Sequence, residues 1–249
     1  MWQSDTNHYF CYMDFKEFIE QGEKLFLPNL SVDIVIIGFH EGELKCLLLK
    51  IGDKWLLPGG YVFRTESVEN ATVRILRERT GLKDPHFKFL SVFGGEDRKF
   101  TEEWKQFFVE NNLPFKENTW LNDRFVTLAH YSLVDFEKTK PVIGNFDEAF
   151  AWFNLDELPK MWMDHKEIVL TAKNRLKEDI QHEQLTYNLL PKEFTMPQLH
   201  GLHQTILGEK LDRSRFQKKM IASGAFERLP KLQKDSPGRK PFQYRVKKA

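Results

Sequence analysis

A short run of charged residues at helical spacing carries the first chemical clue in this 249-residue chain. Arg74 and Glu78 stand four apart, the spacing of an ion pair along one helix face, and Glu66 lies where it would secure the loop before that helix. Ile75, Glu78 and Arg79 stand at i, i+3 and i+4, so a helix gathers them into one patch whose formal charge sums to zero. Mg²⁺ needs hard oxygen ligands and sheds water reluctantly, so one carboxylate beside a guanidinium does not hold it. No metal is therefore expected on this patch, and no other cofactor or catalytic residue is read from the sequence. Two readings stand for Glu78: partner of Arg74, or contact to a ligand.

A second chemistry is written in LDRSRFQKKMIASG, where Arg213, Ser214, Arg215, Gln217, Lys218 and Lys219 surround an apolar Phe216 and Met220. Arg and Gln side chains read guanine and adenine edges, and a helix N-terminus suits phosphate. Downstream, Arg239, Lys240, Tyr244 and Arg245 are candidates to hold the backbone or the minor groove. The bland alternative is a solvated basic face on a small helical cap.

The elements that must position these residues are legible from pattern. Branched apolar runs at 32–38 and 44–50 flank a short turn and read as a buried β-hairpin. A third short strand, KWLLP, leads into Gly59 and Gly60. Ser67 can cap a helix over 68–80 that Gly81 stops, with Val68, Ala71, Thr72 and Leu76 as its buried stripe. Further strands are expected near 88–94, 125–134 and 149–153. Between them, 97–122 reads as an aromatic insertion with a helix over 101–111. Asp164 and Glu167 form a capping pattern before a helix with Ile168, Ala172, Leu176 and Ile180 on one face. Thr195 starts a helix that Gly208 ends, and Asp212 starts another that Gly224 ends, a helix-turn-helix pattern. Two strand-like ends around a Lys/Pro/Gly-rich loop then make a wing.

Charge divides the chain at the same place. Residues 191–249 hold 14 Lys and Arg against 5 Asp and Glu, a net of +9, whereas residues 1–190 carry −8. Such a split marks a nucleic-acid module joined to another domain. No run approaches 18 apolar residues and no secretory signal is seen. Cys11 and Cys46 give no disulfide framework or zinc spacing, and a cytoplasmic location is expected. The expected plan is an N-terminal extension (1–29), an α+β domain (30–160), a linking helix and connection (161–190) and a winged helix-turn-helix domain (191–249).

Gly60, Glu66, Arg74, Leu76, Glu78, Gly81 and Leu82 stand at the spacing of the Nudix box, preceded by Leu57-Pro58-Gly59-Gly60. The chain resembles the Nudix fold on these residues. It departs from the box at Ile75 and Arg79, where the family has metal-binding carboxylates, and Thr65 replaces a usual Gly. Together with the basic module, residues 30–246 are similar to the Nudix-related transcriptional regulators, typically dimers that bind palindromic operators and answer a small effector. The resemblance implies an effector-responsive regulator with a catalytically inactive sensor domain, acting as a homodimer on a pseudo-palindromic duplex operator. It favours the arabinose-responsive branch, hence control of pentose metabolism. The other branch answers ADP-ribose and controls NAD metabolism.

The charge of the sensor half leads to the same preference, because a pyrophosphate without bound cations would meet a negative domain with only Arg79 as replacement. A pentose needs an apolar ring face and a few polar groups. Phe100, Trp104, Phe107, Phe108 and Trp120 either offer such walls or pack the insertion onto the core; Glu78, Arg79, Trp104 and Trp120 are the candidate effector contacts. The alternative class is a Nudix hydrolase of ADP-ribose or a sugar nucleotide with an accessory nucleic-acid module. A pure interaction scaffold would leave the basic module unexplained.

Overall fold

The computed structural model describes residues 15–83, 86–144, 147–180, 184–231 and 241–247. A seven-stranded mixed sheet forms the first domain, built on one long strand, β1 (Phe26–His40). Along one edge β1 runs parallel to β6 (Val126–Val134). Its other edge is shared: β4 (Gly59–Phe63) pairs with the first part of β1, and β2 (Glu43–Ile51) with the last part. β3 (Lys54–Leu56) and β7 (Ala149–Asn154) both lie on β2, and β5 (Lys88–Phe93) closes the far side against β6. The 40–43 turn takes positive φ at Glu41 and Gly42, the backbone of a tight hairpin.

Alternation along β1 decides the layers. Val32, Ile34 and Ile36 face α2 (Val68–Thr80), where Ala71, Ile75 and Leu76 complete one core. Val35 and Ile37 face the other way, into a core shared with Ile168, Val169, Ala172 and Leu176 of α4 (His165–Asp179). The sheet thus lies between two helices. α2 has the bounds that its residues predict: Ser67 Oγ accepts from the Asn70 N–H at 3.2 Å, and Gly81 takes φ +68°.

Two features differ from expectation. The sequence reading left 1–29 as an extension, but Phe15–Leu25 form a helix, α1, and β1 begins at Phe26. Phe18, Phe26, Tyr61 and Trp120 pack their rings together there. Gly22 makes this possible, because a Cβ at 22 would fall inside the Trp120 indole. The second difference is at the start of α4. Asp164 holds the N-cap position without a side-chain cap bond, because its carboxylate is taken by Arg98.

The insertion carries α3 (Thr101–Glu110), seated by Phe108 and Leu121. Beyond α4, β8 (Phe194–Thr195), α5 (Met196–Leu207), α6 (Arg213–Ala222), β9 (Phe226–Lys231) and β10 (Phe242–Val246) form the second domain, with sheet order β8-β10-β9. Thr195 and Gln198 make a reciprocal capping box, and Gly208 ends α5 at φ +72°. Leu189, Phe194, Leu199, Leu202 and Phe216 belong to the same hydrophobic cluster as Val35 and Ile37, and Thr205 Oγ1 donates to the Gly42 carbonyl at 2.8 Å. Among the described residues, no helix is long and apolar enough to cross a membrane.

Candidate effector cavity and nucleic-acid interface

α2 turns the box residues inward. Arg74 Nη2 and Nε bind the two Glu66 oxygens at 2.6 and 3.1 Å, Nη2 donates to the Tyr61 carbonyl at 2.9 Å, and the guanidinium lies over Phe63. Glu66 also accepts from the Phe63 N–H at 2.9 Å, which fixes the loop as expected. Glu78 stands 3.4 Å from Arg74, and both side chains are buried. Ile75 is 1% exposed and packs against Gly60 in the sheet core. Arg79 is buried too and is ion-paired with Asp147.

These positions do not fit a divalent cation. Of positions 75, 78 and 79 only Glu78 brings oxygen, one of its oxygens (Oε1) has no partner, and Arg74 and Arg79 set positive charge beside it. Among the described residues no three His, Cys, Asp or Glu cluster as metal ligands.

Burial raises the Glu78 pKa above the ordinary carboxylate value more than the two arginines lower it. Between the unfolded and the folded pKa the folded state keeps a proton that the unfolded chain has released, so stability falls as pH rises through that window. Glu78→Gln removes that slope. We expect it to hold or raise the melting temperature at pH 7, by up to about 1 kcal/mol or ~2–4 °C, with the gain vanishing as the pH is lowered towards 4.5. A lower melting temperature at pH 7, read by calorimetry, would show the carboxylate to be a net stabiliser.

A cavity of about 150 Å³ opens beside this frame. Its walls are aromatic: Phe15 and Phe18 from α1, Tyr61 from β4, Phe100, Trp104 and Phe107 around α3, and Trp162 before α4. Of the expected effector contacts, Trp104 and Arg79 line it. Trp120 does not; its Nε1 donates to the Ile19 carbonyl at 3.1 Å and its ring seats α1. Glu78 does not line it either, being turned to Arg74. Phe108 lies in the core beneath α3.

The polar lining is Asp33, Asp123 and Asp147 against Arg79 and Arg98, with His165. Arg79 is not the free replacement charge that the sequence suggests, because Asp147 neutralises it. Arg98 holds Asp164 with two bonds, at 2.7 and 3.2 Å, and donates to the Phe125 carbonyl at 3.1 Å. Burial lowers the His165 pKa, so the ring is neutral. Sequence reasoning missed Asp33, Arg98 and His165. Asp33 alone left a trace, a lone carboxylate inside VDIVIIG.

A wider cleft of about 740 Å³ opens between the two domains; among its charged groups Asp135 pairs with Lys138 and Glu227 with Arg245.

In the second domain α6 presents Arg213, Ser214, Arg215, Gln217, Lys218 and Lys219 to solvent, while Phe216 and Met220 are buried. Asp212 caps it, accepting from the Arg215 N–H at 2.7 Å. The wing corrects the expectation in two places. Tyr244 is only 7% exposed and faces Phe194 across β10 and β8, so it is core and not a DNA contact. Arg245 stands opposite Glu227 and binds it at 2.8 and 3.0 Å, so its charge is already answered. Arg239 and Lys240 lie outside the described residues. Arg228, which sequence reading passed over, is exposed and stacks on Phe242, 3.4 Å from the ring centroid.

Residues 27–172 match the NUDIX domain, and residues 186–246 match the NrtR DNA-binding winged helix domain. The ADPR responsive transcriptional repressor NtrR of Acinetobacter baylyi is 25% identical over 225 residues, covering 87% of this chain and 80% of the relative. An ADP-ribose pyrophosphatase of Methanocaldococcus jannaschii is 26% identical over 147 residues, 57% of this chain and 71% of the relative. Neither relative supports the arabinose branch that the sequence reading favoured. Shewanella oneidensis NrtR, solved with a 27mer DNA, superposes with a TM-score of 0.68 at 23% identity, covering 88% of this chain and 93% of that one. A MutT/nudix family protein from Enterococcus faecalis gives 0.66 at 23% identity, covering 99% and 100%. The last two likenesses show the fold, and the match over 27–172 shows the family: the chain belongs to the Nudix family, and carries a winged-helix DNA-binding domain of the NrtR type at its C-terminal end.

Proposed function

We propose that this chain is an effector-responsive transcriptional regulator in which α6 reads duplex DNA and the Nudix domain senses a ligand without hydrolysing it. One observation carries the reading: the Nudix frame is kept where it folds, at Glu66, Arg74 and Gly81, and replaced where it would bind metal, at Ile75 and Arg79. ADP-ribose is the first candidate effector, because the relative that spans both domains is a repressor described as responsive to it. A small winged helix reads few base pairs, so the active species is a homodimer on a pseudo-palindromic site.

A specific observation favours a second effector, a neutral sugar such as a pentose. Each arginine lining the cavity is already paired with an aspartate, so among the described residues a diphosphate finds no uncommitted cation there.

Duplexes selected from a random pool by the full chain supply the DNA for a direct test. Millimolar ADP-ribose is expected to release the selected duplex, and ADP-ribose with Mg²⁺ or Mn²⁺ is expected to stay intact. Release by arabinose alone would install the second reading. Metal-dependent hydrolysis abolished by Glu78→Gln would make the domain an enzyme and sink the sensor-only assignment.

A further inference from the structure

A carboxylate inside a buried strand is costly unless something answers it. Asp33 stands between Val32 and Ile34 on β1, is 7% exposed, and lines the aromatic cavity. The charged and imidazole side chains set against it stand off. Arg98 Nη2 is 3.5 Å from one oxygen and His165 Nε2 is 3.9 Å from the other, both too long for a direct N–H···O bond. Arg98 commits its other donors to Asp164 and Phe125. His165 accepts the Leu57 N–H at Nδ1, 2.9 Å away, so the neutral ring carries its proton on Nε2, towards Asp33. Gly59 keeps this corner open, because a Cβ there would stand 2.5 Å from Asp33 Oδ1 and 2.8 Å from the Val32 carbonyl.

We propose that this corner, Asp33 with Arg98 and His165, is a subsite for the vicinal hydroxyls of a sugar, and that Asp33 sets the specificity of the cavity. A hydroxyl both donates and accepts. One placed here donates to Asp33 while accepting from Arg98 or His165, completing bonds that the side chains are too far apart to make themselves. A fully ionised phosphate has no proton to donate, and its charge would face that of Asp33. Trp104 and Phe107, which line the same cavity, offer apolar surface to the face of the ring. The inference rests on the cavity being the effector site. It applies equally to a free pentose and to a ribose within ADP-ribose, whose phosphates would then point away from β1.

The test is calorimetric titration of the full chain with ADP-ribose, D-ribose and L-arabinose, comparing wild type with Asp33→Asn and His165→Asn. Asn at 165 keeps an acceptor for the Leu57 N–H and removes the Nε2 donor. The probe that binds wild type most tightly is expected to lose at least tenfold in affinity with Asp33→Asn and several-fold with His165→Asn. The ligand-free melting temperature of Asp33→Asn should equal or exceed that of wild type, because a buried charge is gone; a purely structural Asp33 would give a lower one. Equal affinity in wild type and Asp33→Asn, or binding of none of the three probes to wild type, overturns the subsite. A sugar that depends on Asp33 yet leaves DNA affinity unchanged keeps the subsite and removes the regulatory reading. Undiminished DNA release by Asp33→Asn does the reverse.

Discussion

Replacing Arg74 with alanine is expected to lower the unfolding free energy of this chain by about 3–5 kcal/mol, the loss seen when one partner of a buried ion pair is removed. Arg74 answers Glu66 and Glu78 together and also satisfies the Tyr61 carbonyl, with Glu78 buried and Glu66 15% exposed. Alanine leaves one buried and one largely covered carboxylate without their cation. The pH dependence should identify the cause. Arg74 is the larger of the two charges that lower the Glu78 pKa, so its loss lifts that value further above the unfolded one. Stability of the variant then falls more steeply with rising pH, and the deficit shrinks as the pH is lowered towards 4.5, where the unfolded carboxylates also take up protons. Urea unfolding at several pH values reads both effects. A loss below about 1 kcal/mol, or a deficit constant with pH, would mean that water reaches the pair.

The second large effect is on DNA. Arg215→Ala is expected to weaken binding to the selected duplex by about 1–3 kcal/mol and to relax base preference at one position, whereas Lys218→Ala should weaken all sequences alike and reduce the salt slope by about one. Both side chains are exposed on α6. Arg245→Ala is the contrasting control. Its guanidinium is bound to Glu227, which also lowers the Glu227 pKa, so its removal should change DNA affinity little. Fluorescence anisotropy across a range of salt concentrations separates the three. A loss for Arg245→Ala as large as that for Arg215→Ala would move the contact surface from α6 to the wing.

The elements were legible where local chemistry fixes them. Ser67 and Gly81 bound α2, Thr195 and Gly208 bound α5, and the charge of α6 announced itself, because caps and exposed faces are decided within a few residues of chain. What escaped was decided by distant partners. Nothing near Asp164 says that Arg98, from another part of the chain, will take its carboxylate, or that Asp147 will cancel Arg79. Trp104 and Trp120 look alike in the sequence, yet one lines the cavity and the other seats a helix that the apolar pattern did not suggest. Tyr244 was misassigned for a similar reason: strand alternation turns it inward, opposite Phe194, and a tyrosine carries no local sign of that choice.

The hydrophobic cluster that runs from Val35 and Ile37 through α4 to Leu199 and Phe216 has a mechanical consequence. Close-packed interiors transmit strain instead of yielding to it, so sensor and reader have no soft joint along that seam. A bend between them would open apolar surface at about 25 cal/mol per Å² and break the Thr205 bond to Gly42. The chain is therefore built to pivot as one lever, with α6 moving together with the sheet of the first domain.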